Sequence, residues 1–458
     1  MDFTAIESAL EARFFAPLKR PRTRRAGVEL ELPLCNLDPA RPVDFDVVQA
    51  VTERFLAQFS FSVRNRDEDG RVYRAGESVQ GDELSFDCSY NTVEFSFGPT
   101  ENLNEVLNRF TRYYSLFKEE LLRRGHTVTG MGVNPRWRVN RAEPINSSRY
   151  RMLLRYLQSY PKYHRALPFH CWPHFGIFSC ASQVQVDVDE STALQAVNAF
   201  TRLEPFKSVL FANSPFGDRF GHLCARDYFW RDSLHGLNPH NCGLYRLPFH
   251  RLKDIRSYLT TTSIYTVERG GRYVHFAPRP LQEYLLAETI DGEAVVPGGF
   301  ERMTFTPRAD DVRFLRPFKF EDLTYRGTLE FRSVCAQPVS EVLAFAAFHA
   351  GLMEMLPELA ALMDDDETLY GHGYNVSELR ELFNRQDWPL FLDRPALSRQ
   401  LQCILDLAAT GCSRRGADEE PLLAPLYRRA ETLVSPAREY VDGLKKGDSV
   451  DTFIARFG

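Results

Sequence analysis

No C-x-x-C pair occurs among the nine cysteines, which stand scattered at positions 35, 88, 171, 180, 224, 242, 335, 403 and 412. An odd, unclustered set is neither a disulfide framework nor a zinc pattern, and it fits a reducing cytoplasm. Long uncharged apolar runs are missing too: nothing approaches the ~18 residues that a bilayer-spanning helix needs. Residues Met1 to Glu7 show no basic region followed by an apolar core, so no secretory leader is expected. Charge of one sign is not in excess. The 56 Lys and Arg against 61 Asp and Glu leave a net charge of −5, which argues against a nucleic-acid or membrane surface. Neither G-x-x-x-x-G-K-[ST] nor G-x-G-x-x-G is present, so phosphates have neither a P-loop nor a Rossmann cradle. Internal repeats, low-complexity tracts and long flexible linkers are absent as well. One compact unit, 1–458, is expected rather than independent domains.

What is present begins with aromatics: 35 Phe in a 13% aromatic fraction point to a well-packed interior. Gly27–Leu32 alternates as a strand, with Val28, Leu30 and Leu32 on one face and Glu29 and Glu31 on the other. Further strands are expected at 69–75, 82–87, 91–97, 127–133, 177–189 and 327–333, and a hairpin at 264–276 around Gly270-Gly271. On three of them the polar face carries chemistry: Glu94; Gln183, Gln185 and Asp187; Glu330 and Arg332. Helical spacing predicts helices over 3–19, 44–58, 99–124, 149–156, 339–363, 397–409, 420–433 and 448–457, and one after a Ser191 cap. The basic run Arg20–Arg25 reads as a solvated connector, and Trp137 as packing. His170 and His174 are four apart, but Pro173 between them argues for a loop rather than a metal-binding helix.

Acids on several separated strands need a shared explanation. Packing them side by side without cations would cost several kcal/mol per unpaired charge. Hard divalent cations with a polyphosphate account for acids and arginines together. The sheet is expected to be largely antiparallel, with one face on helices and the other polar.

The chain resembles the glutamate–cysteine ligase family, of the plant and proteobacterial type. The resemblance is carried by Gly130–Trp137 followed by Arg149-Tyr150, then Gln183–Asp187, Leu210–Phe216, and Leu329–Arg332 with Cys335–Pro338. It runs from residue 27 to about 340, roughly three quarters of the chain. The resemblance implies an α+β fold, a funnel-like, mostly antiparallel sheet of the glutamine synthetase type backed by helices. Residues 26–340 would form the ligase core and 341–458 a C-terminal helical flank. It implies ATP-dependent joining of the glutamate γ-carboxylate to the cysteine amine through an acyl phosphate, with Mg2+ or Mn2+. Carried over by position, Glu29, Glu31, Asp87, Glu94 and Glu330 would be metal ligands, with Glu83 competing with Asp87. Arg332 would face the transferring phosphate, Gln183 and Gln185 would contact the nucleotide–metal group, and Arg226 would engage substrate. Small-molecule substrates, a cytoplasmic monomer or homodimer, and no nucleic-acid or membrane partner complete the expectation. The chain departs from the family pattern at Gly217–His222 and Asn238–Leu244. A different amine or acid substrate, a non-catalytic metal-binding scaffold and a metal-dependent phosphoester hydrolase are the other readings.

Overall fold

The computed structural model describes residues 3–166, 168–216, 221–246 and 248–458. Of the segment Gly217–His222 singled out above, residues 217–220 lie outside the described residues.

Among the described residues fifteen strands follow in chain order: β1 Ala26–Asn36, β2 Ser62–Arg66, β3 Val72–Gly76, β4 Glu83–Ser85, β5 Thr92–Thr100, β6 His126–Val128, β7 Ser182–Asp187 and β8 Cys242–Gly243, then β9 Ser263–Arg269, β10 Arg272–Pro280, β11 Ile290–Val296, β12 Gly299–Phe305, β13 Phe318–Lys319, β14 Glu321–Leu323 and β15 Thr328–Phe331. The main sheet has nine strands in the order β14-β15-β7-β1-β5-β4-β3-β2, with β6 paired to the far end of β1. Every pairing in it is antiparallel. β9–β12 form a separate four-stranded sheet, and β8 pairs with β13 in parallel. The fold is therefore α+β, as the resemblance implies, with the largely antiparallel sheet that the alternating strands predict.

Alternation decides which face is buried. Val28, Leu30, Leu32, Val93, Phe95, Phe97, Val184, Val186, Leu329 and Phe331 all enter one hydrophobic core. Among the described residues four helices cover this side: Phe45–Phe59 packs on β3, Leu103–Leu122 on β5, Ala344–Glu354 on β1 and β7, and Ala193–Phe211 on β14 and β15. The same core continues through the C-terminal helices, as far as Leu433. The residues between those apolar ones face the opposite side.

Several elements differ from the sequence expectation for visible reasons. The helix expected over 3–19 is α-helical only at Phe3–Leu10; it then widens and ends in a tight turn at Ala16–Lys19, where Pro17 sits. The run 339–363 is broken between Glu354 and Leu356, with a 91° bend; Pro357 starts the second piece because its missing N–H is not needed there. No single described helix is long and apolar enough to cross a membrane. Ser191 does not cap the next helix. Asp189 accepts hydrogen bonds from the Ser191 and Thr192 amides instead. The strand expected over 127–133 shrinks to β6, since Thr129 onward turns away to bond Pro33 and Phe457. The basic run Arg20–Arg25 is pinned rather than free: Arg22 and Arg24 both pair with Glu354.

Three of the motif stretches interlock beneath the sheet. Asn213 Nδ2 donates to the carbonyls of Gly130 and Ala336, each at 2.7 Å. Gly132 N donates to Asn213 O at 2.7 Å, and Gln337 Nε2 to Phe211 O at 3.0 Å. The backbones pass so closely that a Cβ on Gly130 would lie 2.0 Å from Gln337 O, and one on Gly132 2.7 Å from the Cβ of Cys335. Gly130→Ala is expected to destabilise the protein by about 1–3 kcal/mol, as overpacking does, measured as a fall in the urea midpoint.

Candidate functional site

The polar face is built by register. Glu31 stands directly across from Glu94, Glu29 across from Gln183 on one side and Ser96 on the other, and Glu330 across from Gln185. On the far side of β15, Asp322 stands across from Glu330. The acids therefore form a row crossing β14, β15, β7, β1 and β5. Most are half-buried, and Glu330 is buried.

Amides and hydroxyls hold the row in place. Gln185 Nε2 donates to Glu330 at 3.0 Å and to Glu29 at 3.3 Å, so one amide bridges two carboxylates. Gln183 Nε2 and the Ala181 amide donate to Glu31 at 2.9 and 2.6 Å, and Ser96 Oγ to Glu94 at 2.5 Å. Arg332 Nη1 donates to Glu330 at 2.7 Å. Asp187 lies outside this set, across from Thr328 and bonded by Thr23.

These donors do not neutralise the charge. Burial first, then the charges of Glu330 and Glu94, raise the Glu29 carboxyl far above the usual carboxylate range. Burial and the charge of Asp87 push Glu31 up to about 8 and Glu94 up to about 7. Burial and Glu330 do the same to Asp322, up to about 8. At neutral pH the metal-free row thus holds protons that a bound cation would displace. Divalent-metal binding at pH 7 is expected to release protons, seen as a buffer-dependent heat in calorimetry. The sign for stability follows. Glu31 and Glu94 bind protons more tightly folded than unfolded, so the metal-free protein should lose stability as pH rises from about 4.5 through about 8. Divalent cation should restore it.

Asp87 and Glu83 separate here. Glu83 is held by the Arg74 guanidinium at 2.7 to 3.0 Å. Asp87 accepts from Tyr150 Oη at 3.1 Å, and its charge acts on both Glu31 and Glu94. Arg149, one residue before Tyr150, is exposed and faces the charges of Tyr150, Asp87 and Tyr273. Arg226 is buried. Its guanidinium donates to the carbonyls of Ser333 and Val334 at 3.3 and 3.0 Å and to Arg332 O at 3.3 Å, while its buried Nε has no partner among the described residues. Cys224 and Cys335, far apart in sequence, meet beside it with sulfurs 3.4 Å apart. All nine cysteines are free.

Among the described residues no three or more His, Cys, Asp or Glu side chains are already gathered as a metal cage. The donor set nevertheless suits a hard cation: carboxylates and amide oxygens in a row, with the buried Gln183 Oε1 lacking any partner beside Glu31. His170 and His174 lie in a loop, His170 bonding Phe229 O. Asn238–Leu244, which departs from the family pattern, is held along its length. Asn238 and Asn241 tie it to Thr261 and Ser263, and β8 joins it to β13.

The sequence profile of the glutamate–cysteine ligase family 2 matches residues 25–449. The chain belongs to this family. Among its glutamate–cysteine ligase relatives, the chloroplastic protein of Nicotiana tabacum is 23% identical over 372 residues, covering 78% of this chain and 66% of the relative. Ligase A of Oryza sativa subsp. indica is 22% identical over 430 residues, covering 91% and 80%. This family member thus spans about two thirds of the tobacco protein's length and four fifths of the rice protein's. A solved glutamate–cysteine ligase of Francisella tularensis, in complex with AMP, is 10% identical with a TM-score of 0.33, covering 97% of this chain and 98% of that one.

Asp322 is the acid that sequence reasoning missed. A three-residue strand offers no alternation to read. The available signal was the Gly327 turn, which folds Glu321–Leu323 back onto β15 and sets Asp322 opposite Glu330.

Proposed function

We propose that the chain is an ATP-dependent ligase that joins the γ-carboxylate of glutamate to the amine of cysteine. The observation that carries this is the row of under-neutralised carboxylates ending at the Glu330–Arg332 pair, within a chain of the glutamate–cysteine ligase family. A carboxylate is a poor electrophile, so it must first be phosphorylated. Its oxygen attacks the γ-phosphorus of ATP, giving γ-glutamyl phosphate and ADP. The cysteine nitrogen then attacks the acyl carbon, phosphate departs with the carboxylate oxygen, and the nitrogen loses its proton.

Both steps move negative charge through a crowded site, and aligned positive groups lower both barriers. Glu29, Glu31, Asp87, Glu94 and Glu330 would hold Mg2+ or Mn2+, which supplies charge neutralisation to the phosphates. Gln183 and Gln185 keep those carboxylates spaced; the Gln183 amide oxygen would meet the nucleotide–metal group directly, and Gln185, whose oxygen accepts from Thr328 at 3.1 Å, would border it. Arg332 faces the transferring phosphoryl. Arg226 fixes the Arg332–Val334 backbone from behind and adds positive charge near Glu31. Arg149 is positioned to take a substrate carboxylate. We further assign the whole chain as one catalytic unit, with 26–340 as the core and 341–458 as its flank. Backbone and side-chain bonds from Glu419, Ala417 and Arg415 to Leu103, Asn104 and Glu101 support that assignment. A cytoplasmic setting fits the nine free thiols, and the protein acts as a monomer or homodimer on small molecules.

The test is phosphate release from ATP. It should require glutamate and a divalent cation and rise when cysteine is added. Release that needs no glutamate, or an amide product formed with a different amine and none with cysteine, overturns the substrate assignment.

A further inference from the structure

Glu330 has two commitments on the polar face: one oxygen accepts from Gln185 and the other from Arg332 Nη1 at 2.7 Å. A cation that takes the Glu330 oxygen facing Arg332 has to displace this hydrogen bond. A guanidinium cannot lose its proton, and left without a carboxylate it has to find another acceptor or float out of line. Its side chain is 30% exposed, so it has room to move, whereas that of Glu330 is only 10% exposed.

The other acceptor within reach is on the next strand. Asp322 stands directly across from Glu330 in the β14–β15 hairpin, whose register is locked by the Thr324–Thr328 hydroxyl bond and Gly327 at φ +78°. It is half-buried, and among the described residues no group donates a hydrogen bond to its carboxylate. Three cations act on it through space: Arg332, Lys319 and Arg316. Lys319 is already spent, with Nζ donating to Cys242 O and Leu244 O at 3.2 and 3.0 Å between the rings of Tyr245 and Tyr258. Arg316 is exposed, on the loop before β13. Arg332, the residue after β15, donates its backbone N–H to Phe320 O at 2.9 Å and so stands diagonal to Asp322, within reach of a long side chain.

We propose that Asp322 is a positioning residue for Arg332: when Glu330 turns to a cation, Arg332 passes from Glu330 to Asp322 and stays aligned with the transferring phosphoryl. The assignment rests on the proposed ligase reading for its purpose, while the transfer itself is a property of three side chains. Without Asp322, Arg332 stays on Glu330 and competes with the cation.

The experiment measures Mn2+ binding to the full-length protein by electron paramagnetic resonance of free Mn2+, without substrates. Asp322→Asn should weaken Mn2+ binding about tenfold, and Asp322→Glu should restore most of it. In an Arg332→Gln background, Asp322→Asn should have no further effect, because the competing guanidinium is gone. Undiminished Mn2+ affinity in Asp322→Asn overturns the proposal. So does an equal loss in both backgrounds, which would make Asp322 a direct ligand or a structural residue, and so does an absence of Mn2+ binding by the wild type. Should the Mn2+ pattern hold while the wild type makes no amide, the ligase reading falls and the transfer stands.

Discussion

Glu29→Gln is expected to cut ligation about a hundredfold to a thousandfold, the scale lost when a preorganised charge-stabilising group is removed, while the metal-free protein stays at least as heat-stable as the wild type. The two halves of that expectation have one cause. Among the described residues Glu29 accepts a single side-chain hydrogen bond, from Gln185 at 3.3 Å, and Glu330, Glu94 and Glu31 disfavour its charge. Gln keeps the neutral shape of the protonated carboxyl, so the metal-free row is undisturbed, but it removes a seat for the cation. Glu330→Gln should lose activity on the same scale with a different stability signature. It takes away the carboxylate that Arg332 holds at 2.7 Å, so a modest loss of stability accompanies the loss of turnover. Thermal unfolding without metal, beside steady-state phosphate release, checks both. Unchanged turnover in either variant removes that residue from the site.

The second large effect lies behind the sheet. Arg380 is buried and donates to Glu204, the Glu204 carbonyl and Asp227, with its guanidinium 4.5 Å from the Phe320 ring centroid. Glu204 and Glu321 are also fully buried, with Lys207 as their other cation. Burial alone would raise the Glu204 carboxyl. Lys207 and Arg380 outweigh it and bring it down to about 2, while Glu321, facing burial and the Glu204 charge, is driven up. Arg380→Ala strands these groups and is expected to cost about 3–5 kcal/mol, the penalty for breaking a buried pair. The measurement is the urea midpoint, and an unchanged midpoint contradicts the role given to this network. Ser333 Oγ also donates to Glu204, at 2.8 Å, so the network reaches the strand end that follows Arg332. Loss of stability in Arg380→Ala should therefore come with loss of turnover, unlike Glu29→Gln.

The polar face was legible because a strand writes its two faces as alternate letters: Glu29 and Glu31, Gln183 and Gln185, Glu330 and Arg332 are each two apart. Register was not legible. That Glu31 meets Glu94, and that Gln185 bridges Glu29 and Glu330, depends on which strands pair and at what offset, which no local pattern encodes. Asp322 escaped for the related reason that its strand is too short to alternate. Leu210–Phe216 was legible as a signature but not in its physical role: Asn213 and Ser214 tie chain crossings beneath the sheet and do not stand on the polar face. The break near Met355 was written in Pro357 and masked by the apolar run around it. The Cys224–Cys335 contact joins residues 111 positions apart, and only the folded chain brings them together.

One measurement bears most directly on the chemistry assigned to the acid row. Glutamate carrying 18O in its γ-carboxylate is incubated with the protein, ATP, Mg2+ and cysteine, and the products are weighed. The expected result is γ-glutamylcysteine together with inorganic phosphate bearing one 18O atom, because the acyl phosphate hands a carboxylate oxygen to the phosphate. Phosphate free of label, or no glutamyl amide at all, would contradict it.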